Sequence, residues 1–443
     1  MTAVRIRLFG LMMILALPVA FSLAQPDGGG YIVVVKEGLS IGVLNKALGT
    51  RTAKQVPNTP IYLLQADGDE NAVLAKLKSD ARIVMAEKNR HVKLAADGNS
   101  LSSPVVEQMA SLPDGHTLTT FYGTVVLESY VNQPAVNITR LSQARHLGSG
   151  AAARVGYIDT GVDFYHPALR PWLDPGVDLV YGRTASELDG LDQMMATLLD
   201  QQMATLLDKR FLFVLNQAMA SLLDGGNGGD VFPPQLGHGT LVAGIIHLFA
   251  PAARIVPIKA FDANGNTTMY TIIEAVYRAR DLDVDVLNMS FSVGDDSVVF
   301  RKAVAEAQAR GIVVVASVGN DAIEATNLYP AAFPQVVGVS ATDFNDRLAS
   351  FSNYGKSVSV TAPGAYVVST APGGRYAAAW GTSFSAPIVS GTIALLASGR
   401  GHGQADSAAA LTTADSIDAL NPGFERKLGK GRVNVLRALT SRK

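Results

Sequence analysis

No cysteine occurs anywhere in the 443 residues. That absence excludes disulfide staples, a thiolate nucleophile and thiolate metal sites. It does not fix the compartment, because a chain this long buries a core large enough to stand without staples. Charge is scarce as well. Asp, Glu, Lys and Arg make up 17% of the chain and the formal net charge is −1. Such a balance argues against nucleic acid or an anionic membrane as the main partner. A His-Glu-x-x-His zinc helix is also missing. His238 and His247 lie nine residues apart, about 180° around a helix, so they cannot share a metal. Asp159-Thr160-Gly161 has no second Asp-[Thr/Ser]-Gly to pair with, and an aspartic protease needs two aspartates sharing one proton.

What is present is organised around Gly381-Thr382-Ser383-Phe384-Ser385-Ala386-Pro387. An apolar run with helical spacing, Ile388 to Ala397, follows. Pro387 falls early in it, where a helix tolerates proline. Ser383 is thereby expected at a helix N-terminus, whose N–H groups and dipole favour a developing oxyanion. Taken alone, the segment reads equally well as a helix cap. A hydroxyl becomes a nucleophile only when a base takes its proton, and the base needs an orienting carboxylate. Gly237-His238-Gly239-Thr240 opens another apolar helical run and supplies the base. Val155-Gly156-Tyr157-Ile158-Asp159 ends an apolar strand in an acid, the position where open α/β sheets place ligand chemistry.

With these three surroundings, in the order Asp159, His238, Ser383, the chain resembles a subtilisin-like serine protease from about residue 155 to 440. The resemblance implies an α/β fold, a doubly wound and mostly parallel sheet with helices on both faces. The alternation of elements from Met269 to Ala316 independently reads as such a sheet. The resemblance also implies roles: Ser383 as nucleophile, His238 as base, Asp159 as orienting acid and Asn320 as the oxyanion-hole amide. Ser290-Phe291-Ser292 and Ser317-Val318-Gly319 would bind substrate and wall the pocket for the residue before the cut. No cofactor is implied. Ala168 stands where the family often has an acidic ligand, and Phe249-Ala250-Pro251 passes straight into the next strand, so no strong structural calcium site is expected. Ser292 replaces a frequent glycine, Leu328 stands where a small residue is common, and Asp321 adds charge at the pocket mouth. These departures imply a preference for small or medium apolar residues before the cut.

The rest of the chain reads as delivery and control. Arg5 and Arg7 precede an apolar run from Leu8 to Ala24, and Ser22-Leu23-Ala24 is a small-x-small cleavage signal. Residues 1–24 are expected to be a secretory signal peptide, with a secreted product, extracellular or periplasmic, and no other membrane partner. Residues 31–95 show a strand at Tyr31–Val35, a helix at Glu70–Ser79 and strand candidates at Ile61–Leu64 and Ile83–Ala86. This β-α-β-β-α-β pattern resembles the family's inhibitory prodomain, which would be an intramolecular inhibitor beside protein or peptide substrates. Residues 96–132 read as a linker, and 133–443 as the catalytic domain, with a helix expected at Ile138–Leu147. An insertion at 184–230 carries Met195–Asp200 again as Met203–Asp208 and Met219–Asp224, at offsets of eight and sixteen. A period of eight drifts about 80° per repeat around a helix, so the copies form no single stripe. His247 is expected to be a satisfied surface or interface residue. Two other classes remain at this point. One is a binding module that kept the fold without activity. The other is an esterase, whose Gly-x-Ser-x-Gly elbow and final histidine are not matched here.

Overall fold

Strands buried at every position need cover on both faces of their sheet, and the computed structural model meets that need with two helical layers. It describes residues 29–94, 117–182, 185–186, 213–214, 235–397 and 403–441.

Residues 31–94 form a four-stranded antiparallel sheet: β1 (Tyr31–Val35), β2 (Thr50–Gln55), β3 (Ile61–Ala66) and β4 (Ile83–Lys88), in the order β2-β3-β1-β4. Helices α1 (Ile41–Leu48) and α2 (Glu70–Ser79) complete the β-α-β-β-α-β pattern. Asp69 starts α2 by accepting the Ala72 N–H at 2.8 Å, and Gly49 ends α1 in the left-handed conformation. A short strand, β5 (His91–Lys93), leaves this module.

The stretch read as the second half of a linker is folded. Residues 118–121 and 124–127 form a hairpin, β6 and β7. Phe121, Val126, Leu127, Tyr130 and Val131 sit in the main core beside Leu241 and Ile245. The helix expected over Ile138–Leu147 is broken into short turns at Pro134–Ile138, Leu141–Ala144 and Arg145–Leu147. Arg140, at φ 64°, interrupts it, and the Thr139 hydroxyl takes the Ala135 carbonyl at 2.7 Å.

The large sheet follows: β8 (Arg154–Asp159), β9 (Val177–Asp178), β11 (Arg254–Lys259), β13 (Val286–Met289), β14 (Val313–Ser317), β15 (Val337–Thr342) and β16 (Val360–Pro363). All pairs are parallel, in the order β16-β15-β14-β13-β8-β11-β9. The expected doubly wound sheet is therefore present. Alternate residues go to opposite layers: Val313 and Val315 to one, Val314 and Ala316 to the other. The first layer holds α3 (His238–Phe249) and α6 (Thr382–Leu396), both buried along their whole length. The second holds α4 (Met269–Asp281) and α5 (Val298–Ala309). Each Ile or Leu fully buried in these layers contributes about 1.5–3 kcal/mol. The chain enters at β8 and later adds strands on both of its sides, so the direction reverses there and leaves a crevice at the carboxyl ends.

Smaller elements border this core. β10 (Phe213–Val214) pairs parallel with β18 (Arg375–Ala379), a strand not read from the sequence, which pairs antiparallel with β17 (Val367–Ala371). The signal segment and the three repeats lie outside the described residues. Among the described residues no helix is long and apolar enough to cross a membrane.

Candidate active site

Two buried side chains pair at the carboxyl end of β8, Asp159 and His238, and Ser383 is buried at the start of a helix of the same layer. Asp159, His238 and Ser383 are 1%, 3% and 6% exposed. Asp159 is the last residue of β8. Its Oδ1 lies 2.7 Å from His238 Nδ1 and accepts the Thr160 N–H at 2.8 Å. An ionised carboxylate can only accept, so Nδ1 must carry the ring proton, and Nε2 is left as the basic nitrogen. His238 is the first residue of α3. That helix can approach β8 because Gly239 has no side chain: a Cβ there would sit 2.1 Å from the Gly161 carbonyl oxygen.

Ser383 is the second residue of α6, at the helix N-terminus as expected, and Gly381 rather than the serine holds the cap position. The His238 ring rests against Phe384, the next residue, with centroids 5.4 Å apart. Pro387 lies four residues after Ser383 and has no N–H, so the Ser383 carbonyl lacks its helical donor. Ser290 replaces it: its hydroxyl donates to the Ser383 oxygen at 2.8 Å, and the Ser383 hydroxyl donates to the Ser290 carbonyl at 3.1 Å. Asn288 supports Ser290 by donating to its Oγ at 2.8 Å, and Ser390 of α6 donates to Asn288 Oδ1 at 2.9 Å. This buried chain of polar groups fixes the serine from both sides. Asn288 and Ser390 escaped the sequence reading, although the proline four residues after Ser383 signalled an orphan carbonyl that needed a donor.

Asn320 follows β14. Its Oδ1 accepts from the Thr382 N–H at 2.8 Å and the Thr382 hydroxyl at 2.9 Å. Because the amide is planar, its Nδ2 donors then face away from Thr382. Thr382 Oγ1 also accepts the Gly319 N–H at 3.2 Å. Thr382 is thus a third residue missed from the sequence, and it ties Gly319 of the wall segment to the start of α6. Ser290, Phe291, Ser317, Val318 and Gly319 are buried and Ser292 is half-buried. All six expected wall residues lie at the ends of β13 and β14, and of them Ser290 is hydrogen-bonded to Ser383 and Gly319 to Thr382.

His247 is not at the surface. It is fully buried in the first helical layer, stacked on Trp172 at 5.7 Å and edge-on to Phe121 at 5.3 Å. Burial lowers its pKa to about 3, with the neighbouring His166 adding to the shift. Its place opposite His238 on α3 was correctly read from the spacing. The hairpin and Trp172 that cover it come from distant sequence. Among the described residues no cluster of three or more His, Asp or Glu could hold a metal ion.

A buried carboxylate–imidazole pair beside a serine at a helix start is an arrangement built for hydroxyl activation. The family model described as Subtilase family matches residues 150–431. The chain belongs to the subtilase family of serine peptidases. It is 34% identical over 287 residues to a thermophilic serine proteinase of Bacillus sp. (strain AK1), covering 65% of this chain and 61% of that one. This chain thus spans less than two thirds of that relative's length. Thermitase of Thermoactinomyces vulgaris is 32% identical over 310 residues, covering 67% of this chain and 92% of thermitase. The crystal structure of a lanthipeptide protease shares the fold, with a TM-score of 0.54 and 22% identity over 69% of this chain and 94% of that chain.

Proposed function

We propose that this chain is a secreted serine endopeptidase that hydrolyses peptide bonds without a cofactor and is made as a self-processing precursor. The observation that carries the reading is the buried 2.7 Å contact between Asp159 and His238, next to a serine held by Ser290. Ser383 Oγ attacks the substrate carbonyl, and His238 Nε2 takes its proton. The tetrahedral intermediate collapses, the C–N bond breaks, and His238 returns the proton to the leaving amine. Water then repeats the sequence on the acyl-enzyme. Asp159 holds the imidazole in its tautomer and stabilises its charged form. Asn320 Nδ2 and the Ser383 N–H receive the oxyanion.

Residues 31–94 act as the inhibitory prodomain in this reading. Strand β5 pairs antiparallel with β12 (Asn266–Thr268), and the Leu94 N–H donates to the Gly265 carbonyl at 2.7 Å. An extended segment held on a strand edge is how a peptide occupies a cleft. The module also caps two helices. Asn89 Oδ1 accepts the Tyr270 N–H of α4 at 3.0 Å. Glu87 accepts the Ser297 hydroxyl and, at 3.1 Å, the Val298 N–H of α5. A carboxylate at a helix start answers both orphan donors and dipole. Because Leu94 is docked and the hairpin from Leu118 is part of the core, maturation falls between them.

The test compares the mass and N-terminus of purified wild type with Ser383→Ala. Wild type should lose its N-terminal ~95 to 116 residues, the interval between the docked strand and the folded hairpin, while Ser383→Ala stays at the length reached after signal removal. A serine-reactive phosphonate should label only wild type. Two intact, unlabelled proteins would move the inactive binding module to the front.

A further inference from the structure

Lysine is rarely found fully buried, yet Lys259 is 1% exposed. It ends β11, and both neighbouring strands place an acid beside it. In the register of the sheet Lys259 lies opposite Asp159 of β8 on one side and Asp178 of β9 on the other. The residues just before these three, Ile158, Ile258 and Val177, pack in the second helical layer. By alternation the three charged side chains leave the sheet on the opposite face, the one that carries α3. Neighbouring strands are about 4.8 Å apart. The side chains therefore leave the sheet as one buried row, a cation between two acids.

Both acids hold back an oxygen. Asp159 uses Oδ1 for His238 and Thr160, and Asp178 uses Oδ1 for the Val180 and Tyr181 N–H groups at 2.7 and 2.9 Å. The Oδ2 of each is buried and accepts no hydrogen bond among the described residues. Buried charge of one sign is costly unless the opposite sign lies near, and Lys259 supplies it. Tyr181 and Asp262 also belong to this neighbourhood. The Lys259 amine lies 5.0 Å from the centre of the Tyr181 ring. Burial pushes the Tyr181 hydroxyl up, and Asp262 and Asp178 add to the shift. Toward His238 the row ends in Asp159.

The ammonium also holds backbone. It donates to the Ser186 carbonyl at 2.6 Å. Ala185, fully buried, accepts the Val162 N–H at 3.0 Å, and Ser186 bridges Val162 in parallel. Val162 belongs to the loop that follows Asp159. The start of α3 lies against the same loop: the Gly239 N–H donates to Thr160 Oγ1 at 3.1 Å. Lys259 thus fastens Ser186, at the start of the insertion, beside the loop that joins the acid to the helix of the base.

Resting on the endopeptidase reading, we propose that Lys259 is a positioning residue for Asp159 and His238. Its ammonium balances the buried charge beside Asp159, and its bond to Ser186 keeps the loop after Asp159 in place. Lys259 touches no reacting atom and acts through the pair. Its charge sets how readily His238 takes a proton, because a cation nearby disfavours the imidazolium and an anion favours it. The two flanking positions therefore act in opposite senses. Loss of Lys259 makes His238 easier to protonate, and loss of the Asp178 charge makes it harder.

The test records kcat/KM against pH with one peptide anilide for processed wild type, Lys259→Met, Lys259→Arg and Asp178→Asn. The acid limb reports protonation of the base in the free enzyme. In Lys259→Met it should move up by about half a unit, the scale of one charge removed at a partly screened distance, and kcat should fall about 10-fold with KM nearly unchanged. Lys259→Arg, which keeps the charge, should restore the limb to its wild-type position. Asp178→Asn, which keeps an acceptor for Val180 and Tyr181, should move the limb down. Should Lys259→Met not fold, the downward shift in Asp178→Asn carries the test. Limbs that coincide in wild type and every folded variant, with phosphonate labelling retained, overturn the inference and leave the endopeptidase reading standing, whatever happens to Tm. A wild type that neither cleaves nor is labelled overturns both.

Discussion

The two sheets of this protein are covered in different ways. The large sheet carries its own layers: α3 and α6 on one face and α4 and α5 on the other, all from the same stretch of chain. The sheet of residues 31–94 carries only one. Tyr31, Val33 and Val35 pack with Leu44 and Leu77 of its two helices. Ile32, Val34, Ile61 and Leu63 share a core with Tyr270, Ile273 and Phe300 of α4 and α5. Strand β1 is therefore buried at every position, yet two of its five residues, Ile32 and Val34, are buried against another module. A domain that borrows a face is stable while docked and loses that cover when it leaves. This suits the removable prodomain role proposed above for residues 31–94.

Breaking the self-sufficient side should cost most. Asn320→Ala should lower kcat by roughly 10²–10³ with little change in KM, the size of the same deletion in subtilisin itself. A fall in KM-controlled binding alone would show that the amide only shapes the wall. Next comes His247, a group buried in the catalytic side's own core. Its folded pKa, about 3, lies below the ordinary 6.5, so the unfolded chain binds the extra proton. Stability is then complete above pH ~6.5 and falls as pH drops toward ~3. His247→Leu should flatten this acid limb, read as Tm against pH between 7 and 4. Two parallel curves would rule the histidine out as the acid-sensitive group. The smallest effect belongs to the borrowed side. Glu87→Ala, made in the Ser383→Ala chain to keep the module attached, should cost about 1 kcal/mol, the worth of a helix cap. Limited proteolysis should then cut residues 31–94 sooner than the rest; unchanged protection would mean that the caps do not hold the dock.

Much of this was readable along the chain. Asp159, His238 and Ser383 each lie in a local pattern, a strand end or a helix start, that a short window of residues reveals. The strands of the large sheet were legible because runs such as Val313–Ser317 are apolar throughout. Other features were not legible, for identifiable reasons. The hairpin at 118–127 looked like linker because its neighbours upstream are rich in Ser, Gly and Pro, and its apolar residues find partners only in α3. The helix expected at Ile138–Leu147 failed because a left-handed residue at Arg140 outweighed its apolar spacing. Asn288, Ser390 and Thr382 are small polar residues with no local signal, and they matter only because α6 crosses the ends of β13 and β14.

By itself, then, the amino-acid sequence determined the residue types of the site, their order, the parallel sheet and the positions of the main helices. These follow from periodicity, caps and turns, which act over a few residues. Only the tertiary structure decided that Ser290 would replace the donor lost at Pro387, that His247 would be enclosed by Trp172 and Phe121, and that Lys259 would stand between Asp159 and Asp178. Each joins residues far apart in the chain. Such contacts depend on how finished elements pack against one another, and no local pattern encodes that.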